Sequence, residues 1–250
     1  MTDADRPSLR ERLRAVPVVG RGLPRVRVVT APAGRVPRGG RWRAAAIDAG
    51  LPAPHAATLS TADASGRVDA RTLILKDVDG DGWVFATRAD SPKGVALAQN
   101  PNAALTFFWR EHGRQVRVRG PVVPLDAETS AADFLDRSDF SRATALAGWQ
   151  SAPLASRAAY REAWDAALDR VRAEPGLVLD AWTAYALEPT SVEFWASSGA
   201  GQTRLRYTAA SGAPTTWTKE LLWPCPPPPP SPRPPWGGGG GGAGGARGAG

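Results

Sequence analysis

The side chains in this sequence that could do chemistry are mainly cationic or hydroxylic, and their types suit the binding of anions. Arg71 and Lys76 belong to one β-rich run, and Lys93 lies at the start of a short helical segment. Arg137 and Ser141 lie around a helix boundary, at a spacing that can converge on one phosphate. An arginine offers a planar fork of donors and a lysine a point charge, so this set predicts sites for one or two phosphate monoesters.

The elements that carry these residues decide whether they can act together. Arg71 and Lys76 are five residues apart, so on a regular strand they point to opposite faces unless a bulge intervenes. Lys93 lies at the start of a predicted helix, where free backbone N–H groups also attract anions. Gln150 and Ser151 add neutral hydrogen-bond donors.

The scarcity of cysteine and histidine excludes several classes of enzyme. Cys225 is the one cysteine, and His55 and His112 are the two histidines of the 250 residues. The sequence therefore predicts no disulfide framework, no metal site of the zinc type and no cysteine nucleophile. A Ser-His-Asp triad would have to use one of two isolated histidines.

The net charge of +7 is distributed unevenly along the chain. Residues 1–43 hold 11 arginines against 3 acidic residues, a surplus of +8, and Arg233 and Arg247 add +2 near the other end. Residues 44–224 are therefore left at −3, so the charge of the chain does not predict a nucleic-acid partner. No apolar run approaches 18 residues and no secretory signal is evident, so we expect no membrane span and a cytoplasmic location.

Composition divides the chain into three segments. Residues 1–43 form an atypical arginine-rich segment that we expect to be poorly ordered, and residues 225–250 form a Pro/Gly-rich tail that we expect to be disordered. Residues 44–224 have the composition of a folded domain. A frame shift in a GC-rich gene would explain both unusual ends, and the genomic sequence tests that hypothesis.

The pattern within residues 44–224 predicts an α+β fold. Ser91 can cap a helix that has Pro92 at its first position, and in a later run Val116 and Val118 alternate with arginines. Six or more antiparallel strands with few helices indicate a small antiparallel β-barrel with peripheral helices. Trp182 is expected in the core. The predicted strands are 55–63, 67–78, 83–87, 104–109, 114–123, 181–189, 191–197, 204–209 and 215–223, and the predicted helices are 91–100, 127–137, 141–148 and 154–174.

Several motifs in order resemble the pyridoxamine 5′-phosphate oxidase family of FMN-binding split-barrel proteins. They include ARTLILKDVDGDGWVFAT (70–87), SPKGVALAQNP (91–101), GRQVRVRG (113–120), WQS (149–151), VEFW (192–195) and RLR (204–206). The resemblance implies a homodimer with FMN at its interface and a small phosphorylated substrate. It implies that pyridoxamine or pyridoxine 5′-phosphate loses a hydride from C4′ to the flavin, which oxygen reoxidises.

The resemblance also implies a role for particular residues of this chain. The substrate phosphate would be bound by Lys76, Arg137 and Ser141, and Arg204 would lie over the reacting carbon. Arg204 and Arg206 are thus the expected catalytic residues. Gln150 and Ser151 would reach FMN from the partner subunit. The expected cofactor-binding residues are Arg71, Thr72, Leu73, Ile74, Leu75, Lys76, Ala86, Thr87, Lys93, Gln115, Gln150, Ser151 and Trp195.

The chain departs from the family pattern at several of these places. Pro92 replaces an arginine, Asp133 a tyrosine, Arg206 a histidine and Thr208 an arginine. An acid at 133 would repel a phosphate unless it turned away. Asp133 and Arg206 favour a second hypothesis, a paralogous flavin oxidase acting on another small aromatic of the phenazine type. Pro92 and Thr208 support a third, a non-catalytic FMN- or pyridoxal-phosphate-binding module, and net charge alone suggests a fourth, RNA binding.

Overall fold

A computed structural model describes residues 40–78, 82–198, 201–210 and 213–224. Their helices are α1 (Gly40–Asp48), α2 (Pro92–Gln99), α3 (Ala127–Leu135), α4 (Asp139–Leu146) and α5 (Arg157–Ala173), with a short 3₁₀ turn at Arg110–His112. The strands are β1 (Ala56–Ala62), β2 (Val68–Val78), β3 (Trp83–Arg88), β4 (Asn102–Trp109), β5 (Arg114–Pro124), β6 (Trp182–Leu187), β7 (Ser191–Ser198), β8 (Gly201–Ala210) and β9 (Ala213–Leu222).

Six of the strands close into an antiparallel barrel. They follow the order β4-β1-β2-β3-β6-β5, and a further pairing between β4 and β5 closes the ring. The remaining strands, β7, β8 and β9, extend the sheet outward from β5. The barrel thus has a flat antiparallel extension on one side.

Strand β5 serves both the barrel and the extension. Its first part, Arg114 to Arg119, pairs with β7, whereas Val122 to Pro124 pair with β6. The side chains of Val116 and Val118 are fully buried, and the arginines between and after them face outward, as the sequence alternation predicted. Gly120 lies at the change of partner, where a Cβ atom would collide with the Glu188 carbonyl.

The barrel encloses the main hydrophobic core. The side chains of Leu59, Phe85, Leu105 and Leu187 are fully buried there, with Phe107 packed at a ring distance of 5.3 Å from Trp83. A smaller cluster joins α4 to α5 through Ala143, Ala167 and Leu168. The helix pair is therefore a separate packed layer beside the barrel.

Side-chain caps begin the helices that carry candidate site residues. The Ser91 side chain accepts a hydrogen bond from the Gly94 N–H and begins α2, with Pro92 in its first turn, as predicted. Ser138 caps α4 and Ser156 caps α5 in the same way. Each cap fixes the residue at which its helix begins.

The structure confirms the predicted α+β antiparallel barrel with peripheral helices. It adds α1, which begins at Gly40, ahead of the boundary at residue 43 that composition suggested. The predictions for most of the 1–43 segment and for the 225–250 tail lie outside the described residues. Within the described ranges, no helix is long and apolar enough to cross a membrane.

Candidate functional site

A cavity of about 590 Å³ lies where β2, β3 and the start of α2 meet α4 and α5. Eight of the predicted site residues line it. They are Arg71, Thr72, Leu73, Ala86, Thr87, Lys93, Arg137 and Gln150. Aromatic side chains of Trp149, Tyr160 and Trp182 complete much of the wall, so the cavity combines cationic and flat apolar surfaces.

Arg71 is held in place by three neighbours. Its Nη1 donates to the Thr61 hydroxyl at 2.8 Å and to the Leu59 carbonyl at 3.2 Å, and its Nη2 donates to the Asp69 carboxylate at 2.6 Å. Because a guanidinium has five donor hydrogens, these bonds fix its position and leave donor capacity for a ligand.

Lys93 is a buried cation without a carboxylate among its hydrogen-bond partners. Its side chain donates to the Ser91 hydroxyl at 3.2 Å and to the Gln150 amide oxygen at 2.9 Å. Burial, followed by the positive charge of Arg71, lowers the pKa of Lys93 to about 8, and the negative charge of Asp69 acts in the opposite direction. Two cations held together away from water would be stabilised by an anion between them.

A second group of residues surrounds Trp182. The guanidinium carbon of Arg137 lies 4.0 Å from the Trp182 ring centroid, and burial lowers the pKa of Arg137. Within the part of the chain that the structure describes, its buried Nη1 has no hydrogen-bond partner. Buried donors are normally satisfied, so this guanidinium marks a second place where an anion would be stabilised.

Asp133 lies inside this second group and does not turn away from it. One of its oxygens pairs with the Lys76 ammonium at 2.9 Å, and the other accepts a hydrogen bond from the Trp182 indole at 2.9 Å. Lys76 reaches Asp133 from a bulge, because the register of β2 against β3 shifts between Leu75 and Asp77. The irregularity that the five-residue spacing required is therefore present.

Another set of predicted residues lies on the sheet extension and does not line the cavity of the same chain. Gln115 on β5 is paired with Trp195 on β7, and Trp195 is paired in turn with Arg204 on β8. Arg204 donates to Glu193 through Nε at 3.0 Å and through Nη2 at 2.8 Å. Arg206 is instead paired with Glu220 on β9, at 2.9 Å.

The remaining predicted residues lie at the margins of these groups. Leu75 is buried in the barrel core, whereas the side chain of Ile74 is 43% exposed. The Ser141 hydroxyl accepts a hydrogen bond from the Ser138 hydroxyl at the start of α4. Ser151 has a left-handed backbone with φ of 68°. Gln150, expected in the site of the partner subunit, lines the cavity of its own chain.

Some residues that line or shape the cavity were not predicted from the sequence. Trp182 was expected in the core, yet it forms cavity wall and carries Arg137 on its ring. Arg88 and Tyr160 also line the cavity. Gly94 lets α2 pack directly on the backbone of residues 88–89, where a Cβ atom would overlap the Ala89 carbonyl. The motif SPKG was the available signal for Gly94, whereas nothing local marked Arg88.

The donor set agrees with what a flavin mononucleotide would need. Arg71 and Lys93 could receive its phosphate, since both are cationic, adjacent and partly or wholly buried. The cavity walls include both aromatic and small apolar side chains, which suit a planar ring system. The Nη1 of Arg137, which has no partner among the described residues, remains available for a second, separate anion.

Comparisons with known proteins identify the family of this chain. Residues 44–174 match the family model described as pyridoxamine 5′-phosphate oxidase, and residues 182–224 match that of the pyridoxine 5′-phosphate oxidase C-terminal dimerisation region. A pyridoxine/pyridoxamine 5′-phosphate oxidase of Paraburkholderia phymatum is 44% identical over 180 residues, covering 72% of this chain and 84% of that protein. One from Maricaulis maris is 47% identical over 146 residues, 56% of this chain and 64% of the relative.

Solved structures resemble the fold. PhzG from Burkholderia lata 383, in complex with tetrahydrophenazine-1-carboxylic acid, superposes with a TM-score of 0.73 at 29% identity, covering 83% of this chain and 100% of that one. A pyridoxamine 5′-phosphate oxidase-related, FMN-binding protein of Nostoc punctiforme PCC 73102 superposes with a TM-score of 0.63 at 20% identity, covering 76% and 98%. Because the family model matches more than half of the chain and a relative is 44% identical over 180 residues, the chain belongs to the pyridoxamine 5′-phosphate oxidase family.

Proposed function

We propose that this protein is an FMN-dependent oxidase that converts pyridoxamine or pyridoxine 5′-phosphate to pyridoxal 5′-phosphate with oxygen as acceptor. The observation that carries the proposal is the cavity that joins the Arg71–Lys93 pair to the Arg137–Trp182 pair. It offers two anion sites beside flat apolar walls, in a chain that is 44% identical to an oxidase of this name. Cofactor and substrate each carry one phosphate, so two sites are needed.

The residues on β2, β3 and α2 would hold the cofactor. Arg71 and Lys93 would bind the FMN phosphate, while Thr72, Leu73, Ala86 and Thr87 would line its path. The chemistry that FMN supplies when bound is hydride acceptance from the substrate carbon, followed by reoxidation by oxygen with release of hydrogen peroxide. The protein then needs no cysteine or histidine nucleophile, which agrees with their scarcity in the sequence.

The residues around Trp182 would hold the substrate. The Arg137 guanidinium, which lies over the indole of Trp182, would donate to the substrate phosphate, and Lys76 and Ser141 would add a charge and a hydroxyl. Binding the phosphate at a fixed place would orient the reacting carbon toward the cofactor. The walls formed by α4 and α5 would limit the access of water.

A second copy of the chain would complete the site. Gln115, Trp195 and Arg204 form a row across the sheet extension and do not line the cavity of their own chain. The segment that includes β7 to β9 matches a dimerisation region. We therefore infer a homodimer in which the extension of one subunit faces the cavity of the other, with FMN at the interface.

Anaerobic flavin reduction tests the activity. The full chain, reconstituted with FMN, should be yellow, and its absorbance near 450 nm should bleach when pyridoxamine 5′-phosphate is added without oxygen. Readmitted air should restore the colour and release peroxide. A protein that cannot be reconstituted with FMN would contradict the cofactor, whereas flavin that stays oxidised would contradict the substrate.

The Lys76–Asp133 ion pair favours a second candidate, a flavin oxidase of another small aromatic. The carboxylate neutralises a lysine expected to meet the substrate phosphate, so the subsite attracts a dianion less strongly. PhzG, which shares the fold at 29% identity, is solved with a tetrahydrophenazine carboxylic acid. Bleaching by a reduced phenazine carboxylate, and not by pyridoxamine 5′-phosphate, would support this candidate. Bound flavin that neither compound reduces would support a binding module.

A further inference from the structure

Arg88 at the end of β3 is a buried arginine with an unusual set of partners. Its side chain is 9% exposed, and its Nε and Nη2 donate to the two oxygens of Asp90 at 2.8 and 2.6 Å. Its Nη1 donates to the Ala145 carbonyl at 2.8 Å and to the Gly148 carbonyl. The guanidinium thus joins the end of a barrel strand to residues nearly sixty positions later in the chain.

The Ala145 carbonyl lies in the last turn of α4, and the Gly148 carbonyl lies just after the helix. We call residues 145–150 the 145–150 turn. Carbonyl groups in the last turn of a helix lack partners within the helix, and a cation placed there is favourable. The Arg88 guanidinium carbon also lies 5.4 Å from the Trp149 ring centroid. Arg88 therefore contacts the 145–150 turn at three of its residues.

The same turn ends at a residue of the cavity. Gln150 accepts a hydrogen bond from Lys93 at 2.9 Å, and the Lys93 ammonium is one of the two cations that could receive a phosphate. The side chain of Trp149 is 73% exposed and so contributes little packing to hold the turn. Arg88 and Lys93 both bond the turn to the barrel side of the cavity, while Leu146 and Ala147 pack against the cluster between α4 and α5.

We propose that Arg88 is a positioning residue that fixes the 145–150 turn, and with it Gln150, against Lys93, and thereby sets the affinity of the cavity for a phosphate-bearing cofactor. The effect on cofactor affinity rests on the proposed function, whereas the fixing of the 145–150 turn does not. Four of the five donor hydrogens of Arg88 are committed to Asp90 and to the turn, so it acts through Gln150 and Lys93.

A lysine cannot take over this role. The guanidinium donates in two directions at once, bidentately to Asp90 and forked to two carbonyls, whereas an ammonium is a single point with three donors. Arg88→Lys keeps the charge and loses that geometry. It is therefore the informative variant.

Arg142 provides a matched control. It is as deeply buried, and its Nη2 also donates to two carbonyls, those of Pro175 and Leu177, at 2.8 and 2.7 Å. It does not line the cavity, and these bonds tie α4 to residues beyond α5. Arg142→Lys should cost stability by the same mechanism without freeing the turn.

Hydrogen exchange of the full chain without cofactor tests the first part. In Arg88→Lys, amides of residues 145–150 should exchange at least tenfold faster than in the parent, while α5 stays protected. In Arg142→Lys, faster exchange should centre on the amides of Gly176 and Leu177, next to the released carbonyls. Unchanged exchange at 145–150 in Arg88→Lys would overturn the proposal.

FMN titration of the same proteins tests the second part. We expect the FMN Kd of Arg88→Lys to rise about tenfold, the size expected for a charge-assisted contact, and that of Arg142→Lys to change less than twofold. Equal losses in both variants would show a merely structural role and overturn the proposal. If Arg88→Lys does not fold, Asp90→Asn, which removes only the partner carboxylate, should give a smaller shift in the same direction. Failure of the parent to bind FMN would contradict the cofactor, and the exchange result would still decide the role of Arg88.

Discussion

Arg204 and Glu193 form a two-donor ion pair across neighbouring strands of the sheet extension. Both Nε and Nη2 of Arg204 donate to the same Glu193 oxygen, and Glu193 is 8% exposed. Arg206, two residues along β8, is paired with the more exposed Glu220. The two arginines are therefore held to very different degrees, although both were predicted as catalytic.

This difference leads to a prediction about Glu193. Glu193→Gln keeps an acceptor but removes the charge that orients Arg204, so we expect flavin reduction by pyridoxamine 5′-phosphate to slow about tenfold. FMN affinity should change little. Stopped-flow absorbance under anaerobic conditions measures the rate, and a Kd titration measures the affinity.

Glu220→Gln is the comparison for that measurement. Exposed ion pairs contribute little, so this variant should slow reduction by less than about threefold. Equal effects of the two substitutions would show that Arg204 has no special dependence on Glu193.

FMN binding should depend on pH through Lys93. Burial and Arg71 lower the pKa of Lys93 to about 8, so the ammonium form that attracts phosphate is present below pH 8 and is lost as the pH rises through it. We expect the FMN Kd to rise between pH 7 and 9.5. The phosphate itself is already mostly dianionic at pH 7, because its second pKa is about 6. Quenching of flavin fluorescence measures the Kd at each pH.

Lys93→Gln should weaken binding at pH 7 by roughly ten- to a hundredfold and remove the pH step, since the lost contact is charge-assisted. Lys219→Gln, on the exposed face of β9, should leave both the affinity and the pH step in place. A Kd of the parent protein that is flat from pH 7 to 9.5 would rule out Lys93 as the titrating group.

Asp133 should oppose the binding of a phosphorylated substrate. Asp133→Asn frees the Lys76 ammonium and keeps an oxygen for the Trp182 indole, so the KM for pyridoxamine 5′-phosphate should fall roughly three- to tenfold. Steady-state peroxide release gives the KM. Asp136→Asn, with the same change of charge at an exposed position, is the control. A KM that rises in Asp133→Asn would mean that the carboxylate organises the subsite and does not compete with the phosphate.

Gly94 should be required for the packing of α2 against β3. An added methyl group would overlap the Ala89 and Arg88 carbonyls, both of them backbone atoms, so Gly94→Ala should lower the free energy of unfolding by about 1–3 kcal/mol. Thermal denaturation would register this as a lower Tm. Gly176→Ala, where a Cβ atom meets no neighbour within 4 Å, should leave the Tm nearly unchanged.

Local patterns in the sequence were sufficient to predict most of the helices and strands. Capping by Ser91 and the alternation at Val116 and Val118 both act over a few residues, so they can be read without the fold. The ordered motifs then identified the family, and eight of the residues carried over from it meet in one cavity.

The closure of the barrel and the packing of the helices against it decided the contacts that local patterns could not predict. Trp182 became cavity wall because β6 pairs with β3 at the edge where Arg137 lies on its ring. Arg88 acquired its role through carbonyls 57 and 60 residues away, and no local pattern encodes contacts at that separation. By itself the sequence determined which residues could bind phosphate. Only the tertiary structure decided which of them share a cavity and which lie on the sheet extension, because strand order and register set those distances.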